Sequence, residues 1–271
     1  MYFRKYYLDQ RVSLATLSAR ISDRERNSLN FRATEFEFRY RFWVIAGIFW
    51  LAFWLYFVDH KRASVALAQL ILGRANAQSP RLDHYVTAVF AVGTLIVFLA
   101  ASMRTWAEAY LHSTIVHDAK LHAGSVVADG PYRHLRNPLY LGTILLSIGM
   151  GLLASRSGFV VLVVGIIFFN YRLILREEGN LLQSQDETYR RYFAAVPRLL
   201  PSLSPRLPAS GAKPNWRDAF SGEIFMWGLA AAMAVFTVTE RLLYFGTVFG
   251  ISFAIYFLQE FLRGRKPRPT A

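Results

Sequence analysis

The sequence predicts an all-α, polytopic membrane protein of about six transmembrane helices, on three observations. The chain of 271 residues is 54% hydrophobic, with a mean hydropathy of +0.26. Its apolar residues come in uninterrupted blocks, each close to the ~20 residues that cross a hydrocarbon layer. Lys and Arg crowd the segments between alternate blocks, as positive-inside topology requires.

The elements follow in order. Residues 1–41 form a polar arm in which "LATLSARI" has the spacing of a surface-lying amphipathic helix. The arm lacks the apolar core of a cleavable signal peptide. "FWVIAGIFWLAFWLYFV", Phe42–Val58, is the first uncharged block. Ser64–Gly73 is too short to cross and fits a re-entrant or interfacial helix. His84–Ser102 is the second span. Pro138–Ala154 and Gly158–Leu175 follow, joined by "SRS" into a tight helix-turn-helix hairpin over residues 138–175. Pro197–Asn215 holds half of the chain's 10 prolines and reads as an extended linker. Ile224–Thr239 and Leu242–Leu262 close the series. The expected division is an arm (1–41), a core (42–201), a linker (202–220), and a two-helix appendix with a basic tail (221–271).

The net charge of +13 resembles that of a nucleic-acid binder, but its distribution excludes that reading. The basic residues gather on one side of the bilayer, with the attraction to anionic headgroups that follows. Both termini are then cytoplasmic, as in a bacterial inner-membrane protein. The chain has no cysteine, which excludes disulfides, thiolate catalysis and C-terminal prenylation. No metal-ligand pattern occurs. The last two helices carry few polar residues and suit packing or homo-oligomer contact.

Polar chemistry concentrates in two stretches, "DGPYRHLRNPLYLG" (Asp129–Gly142) and "NYRLILREEGNLL" (Asn170–Leu182). The hairpin must bring them side by side, because the start of one helix meets the end of the next. Pro138 suits the first helical turn and Asn137 the N-cap before it. The free N–H groups there favour an anionic group. Tyr132 and Tyr140 offer aromatic faces, Gly142 allows close approach, and His134 supplies a potential base. Glu177 and Glu178 are poor membrane anchors and good partners for a cation. These groups suit a zwitterionic, aromatic ligand with a positive centre, a class that includes S-adenosylmethionine.

The run from "GPYRHLRNPLYLG" through "REEGNLL" to "DETYRRYFAAVPRLLP" resembles the isoprenylcysteine carboxyl methyltransferase and phospholipid methyltransferase superfamily of integral membrane enzymes. The similarity spans Arg104 to Pro201. It implies S-adenosylmethionine held over the hairpin, with a lipid-facing entrance for the acceptor. Tyr132, Asn137, Pro138, Leu139, Tyr140 and Gly142 match the cofactor motif, and Glu177 and Glu178 the paired glutamates. Val126 and Val127 resemble its small apolar contacts, and His117 lies near a further polar one. Asn137 stands where the family more often has His. Leu173 stands where a substrate-side arginine is usual, with Arg172 and Arg176 near it.

The expected function is therefore methyl transfer from S-adenosylmethionine to a lipophilic or small apolar acceptor: a lipid amine, a prenyl-cysteine carboxylate or a thiol. An amine or thiol acceptor needs a base, for which His134 and Glu178 are the candidates. An NADPH-dependent membrane reductase of the sterol type is the alternative, and a lipid-binding scaffold the third possibility.

Overall fold

The computed structural model describes residues 31–73, 80–118, 129–184 and 187–264. The "LATLSARI" segment, Val126, Val127 and most of the basic tail lie outside them. The described residues form ten helices and no strand. α1 (Glu35–Arg39) opens on a capping box: the Glu37 amide donates to Thr34 Oγ1 at 3.2 Å, and the Thr34 amide to Glu37 Oε2 at 2.7 Å. α2 (Arg41–Trp54) runs on into one 3₁₀ turn, Leu55–Phe57. α3 (Ala63–Leu72) is the short helix expected between the first two spans.

The long helices exceed their apolar blocks. α4 (Leu82–Asp118) has 37 residues and α6 (Arg156–Ser184) has 29. At 1.5 Å per residue they measure about 55 and 44 Å, more than the ~30 Å of hydrocarbon. α5 (Pro138–Gly151), with 14 residues, covers only about 21 Å. Glu177 and Glu178 therefore sit on a continuing helix, not on a chain leaving one. Among the described residues, three helices are long and apolar enough to cross a membrane, fewer than the six expected from the apolar blocks. The count rises to four if α8 (Trp216–Gly222) and α9 (Ile224–Thr239), bent by 63° at Glu223, make one broken span. α7 (Glu187–Ala195) and α10 (Leu242–Gly264) complete the set.

α5 is sandwiched between α4 and α6 in the predicted hairpin. A Cβ on Gly149 would lie 2.7 Å from the Gly93 carbonyl oxygen, so a bare backbone allows α4 and α5 to touch. The main core joins α4 (Phe90, Val97), α5 (Leu146, Met150) and α9 (Leu229, Met233, Phe236). α9 thus shares the core of the hairpin helices. Within that core Thr94 Oγ1 and Thr237 Oγ1 lie 2.7 Å apart, a polar link between apolar helices.

The proline-rich stretch is stitched down. Arg136 N–H donates to Pro197 O (2.9 Å), Ser202 N–H to His134 O (3.0 Å) and Arg206 N–H to Arg133 O (2.9 Å). Farther along, Asp129 accepts from the Ser210 amide at 2.9 Å, the Ala212 amide at 2.8 Å and the Ser210 hydroxyl. Burial opposes ionisation of Asp129, but these hydrogen bonds hold its carboxyl below the usual range. Proline suits such a strap, because its backbone is extended and lacks the donor a helix would need.

Candidate active site

The hairpin brings its two polar stretches into direct contact. Asn137 Nδ2 donates to Glu178 Oε1 at 3.0 Å and to Arg198 O at 3.0 Å. Asn137 occupies the N-cap position of α5, but its side chain makes no capping bond. The amide is instead spent across the hairpin, which leaves the first turn of α5 without a side-chain cap.

Glu178 is the hub. Arg136 Nε reaches Oε1 at 2.9 Å and Arg198 Nε reaches Oε2 at 2.8 Å. The Glu178 side chain is 5% exposed, and both its oxygens are occupied. The Arg136 guanidinium also donates to Phe193 O and lies 3.9 Å from the Phe193 ring centroid. One carboxylate thus organises the entrance loop, α6 and the chain after α7.

Glu177, one residue earlier, points elsewhere, since neighbours on a helix are about 100° apart. Its carboxylate lies near the Tyr140 hydroxyl and within reach of the Arg41 charge, both of which line the same cavity. Both glutamates line a cavity of about 630 Å³ with Tyr132, Asn137, Pro138, Leu139 and Tyr140. That volume lies within the ~300–1,000 Å³ usual for small-molecule sites. The Tyr132 ring is buried, and desolvation followed by the Glu108 charge pushes its hydroxyl pKa well above the usual range. Asn170 adds the most telling feature. It is fully buried, its Nδ2 lies 3.4 Å from Tyr140 O, and its Oδ1 has no partner among the described residues. An unsatisfied buried acceptor on a cavity wall is costly unless a ligand supplies the donor.

Several expected residues are not part of this wall. His134 is absent from the lining, and its Nδ1 sits 2.8 Å from Ser202 O, so its ring fastens the strap. Arg172 is taken up by Glu37 at 2.5 Å and by the carbonyls of Phe31 and Arg32. Arg176 donates to Ala33 O at 3.0 Å and lies beside the Phe38 ring. Both arginines hold down the segment before α1. Gly142 faces the Arg104 side chain, which a Cβ there would strike, so its bareness serves packing between helices. Leu173, at the position usual for arginine, is a buried part of the cavity wall. His117 is carried on the last turns of α4, but its side chain, like Val126 and Val127, lies outside the described residues.

Other cavity residues were not singled out from sequence. Arg41, Arg104, Asn170, Tyr189 and Tyr192 all line it. Arg104 makes a two-pronged pair with the buried Glu223, Nη2 to Oε1 at 2.7 Å and Nε to Oε2 at 2.8 Å. It also donates from Nη1 to Leu139 O and Thr143 Oγ1. Its signal was present, since a charge just past an apolar block asks for a partner. Asn170, polar within the apolar run "GIIFFN", gave the same kind of signal. Nothing local in sequence pairs Arg104 with a residue more than a hundred positions away.

Its apolar helices make this an integral membrane protein, with a cavity formed where the two sides of the hairpin meet. Residues 85–187 match the phospholipid methyltransferase family, which bears out the resemblance read from the motifs and points to a membrane methyltransferase. The match includes Tyr132 through Glu178 and leaves out Arg41, Tyr189, Arg198 and Glu223. Among individual relatives, the chain is 25% identical over 142 residues to the nickel-cobalt-cadmium resistance protein NccN of Alcaligenes xylosoxydans xylosoxydans. That alignment covers 52% of this chain and 62% of NccN, less than two thirds of its length. No solved structure matches the chain. Neither match supports the reductase alternative.

Proposed function

We propose that the chain is an S-adenosylmethionine-dependent membrane methyltransferase acting on a lipophilic or small apolar acceptor. The observation that carries this reading is the convergence of Asn137, Tyr140 and Glu177 on one cavity across the hairpin. The residues present fit the cofactor. Glu177 offers a carboxylate to a cationic ligand, the tyrosines offer ring faces, and the unpaired Asn170 Oδ1 awaits an amino or hydroxyl donor. When bound, S-adenosylmethionine supplies a methyl group on a sulfonium centre.

The chain's own residues divide the work. Glu178 is fully engaged by Arg136, Arg198 and Asn137, so it holds the walls and is not free for a ligand. Glu177 forms no ion pair with a described residue and lines the cavity. It takes the cation-facing role, and at its carboxylate oxygen it is the acceptor for any proton an amine must lose. Glu177 therefore replaces Glu178 and His134 as the candidate base. Leu173 and Ile45 give the cavity an apolar wall, and the lower local polarity there strengthens each charge it holds. Phe42 lines the same cavity while 70% exposed on α2, and this aromatic edge marks an opening toward lipid for the acceptor.

The test is calorimetry of the detergent-purified protein with S-adenosylhomocysteine and, separately, NADPH. Binding of the first, lost in Glu177→Gln, is expected. Binding of NADPH alone would overturn the proposal.

A further inference from the structure

A second cavity, of about 790 Å³, lies beside the first, and of the lining residues the two share Arg136 alone. Three arginines line it, Arg136, Arg198 and Arg206, and no acidic side chain among the described residues does. The guanidinium groups of Arg136 and Arg198 both lean on Glu178, so one carboxylate serves two cations. The Arg206 side chain makes no hydrogen bond or ion pair with any described residue. Among the described residues, three positive charges thus face a single negative one.

The geometry leaves donors to spare. Arg136 spends Nε on Glu178 and Nη1 on Phe193 O. Arg198 spends Nε on Glu178 and Nη1 on the Tyr171 hydroxyl at 2.8 Å. Nη2 of each has no partner among the described residues. The two guanidinium groups are also fixed against rings, Arg136 on Phe193 and Arg198 on Tyr171 at 5.3 Å. Two preset forks and one uncommitted arginine around a cavity match the several acceptor oxygens of a tetrahedral oxyanion. Burial, with the Arg198 charge also opposing, pushes the Arg136 guanidinium below its usual pKa, a strain that an anion would relieve.

We propose that this second cavity is a phosphate-binding site. Its rim carries exposed aromatic residues, Phe31 at 51% and Tyr171 at 38%, with Phe168 at 51% stacked edge-on against Phe31. They sit where α6 passes from apolar to charged sequence, the depth of an interfacial aromatic belt. The phosphate therefore belongs to a lipid headgroup or to a free ion at that depth. The proposal stands on this cavity alone and does not require methyl transfer.

The experiment uses the full chain in detergent at constant ionic strength. Calorimetric titrations are run with inorganic phosphate and with a short-chain phosphatidic acid, on the wild type and on Arg206→Gln. The Arg206 side chain has no hydrogen bond or ion pair among the described residues, and its backbone bond to Arg133 O is kept in Gln, so the substitution spares the packing described. Removing one charge-assisted contact should weaken binding by roughly tenfold. Binding of both probes with that loss supports a site for phosphate itself. Binding of the lipid alone, with the same loss, supports the site and assigns it to a headgroup. Failure of both probes to bind, or an affinity unchanged in Arg206→Gln, overturns it.

Discussion

Glu178→Gln is the substitution whose consequence the structure fixes most tightly. The wild-type carboxylate compensates Arg136, whose side chain is 8% exposed, and Arg198, at 26%. Replacing it leaves one buried and one partly buried guanidinium without a counter-charge. Removing one partner of a buried ion pair costs about 3–5 kcal/mol. The Arg198 half is screened by solvent, so the lower end, about 3 kcal/mol, is the expected loss. The loss should extend beyond charge, since Arg136 and Asn137 at the mouth of α5 are fixed by the same oxygens. Glu177→Gln is the paired control. It removes a charge one residue away with no ion pair to break, so it should spare stability and abolish binding of S-adenosylhomocysteine. Thermal unfolding of both variants in detergent, followed by the change in tyrosine and tryptophan fluorescence, separates the roles. Wild-type stability in Glu178→Gln, or a large loss in Glu177→Gln, would refute the division of labour between the two glutamates.

Three further outcomes are expected. Glu223→Gln should destabilise by about 2–3 kcal/mol, because it strips Arg104 of its two-pronged partner and loosens α9 from the first turn of α5; thermal unfolding reads the loss, and an unchanged midpoint would contradict it. Asn170→Leu should leave the unfolding midpoint near that of the wild type while weakening S-adenosylhomocysteine by roughly tenfold, since it gives up only the long Nδ2 contact to Tyr140 O and Oδ1 has no partner among the described residues; calorimetry checks the affinity. The Asp59 carboxyl is drawn down to about 2, first by its hydrogen bond from Arg156 and then by that from the Ser157 amide. A depressed folded pKa gives stability that is complete above the unfolded value, near 3.8, and is lost as pH falls through about 2. Asp59→Asn should lower stability at neutral pH and flatten that acid limb, the two curves converging as pH falls toward 2; curves that stay parallel down to that pH would contradict it.

The sequence carried the architecture because apolar blocks and a three-residue turn leave few ways to arrange a chain in a bilayer. Asn137 and Glu178 could be brought together from spacing alone. Their bond could not, since residue type identifies Asn137 as a natural cap without saying which acceptor its amide prefers. The lengths of α4 and α6 were understated because hydropathy ends where hydrocarbon ends, while helical backbone continues into charged sequence. His134, Arg172 and Arg176 looked chemical because they lay beside the motif. The structure spends them on carbonyl groups of Ser202, Phe31, Arg32 and Ala33. The proline-rich segment had the composition of a free linker, yet Asp129 and the 133–136 backbone hold it down. Those contacts span some sixty to eighty residues and have no local signature.

The central claim is that the two sides of the hairpin serve one ligand. It is tested most directly by a double-mutant cycle on S-adenosylhomocysteine affinity with Tyr140→Phe and Glu177→Gln. Because Tyr140 and Glu177 line one cavity from the two sides of the hairpin and would grip the same ligand, the account predicts that the double variant loses clearly less than the sum of the single losses. Losses that simply add, or a ligand indifferent to both substitutions, would contradict it.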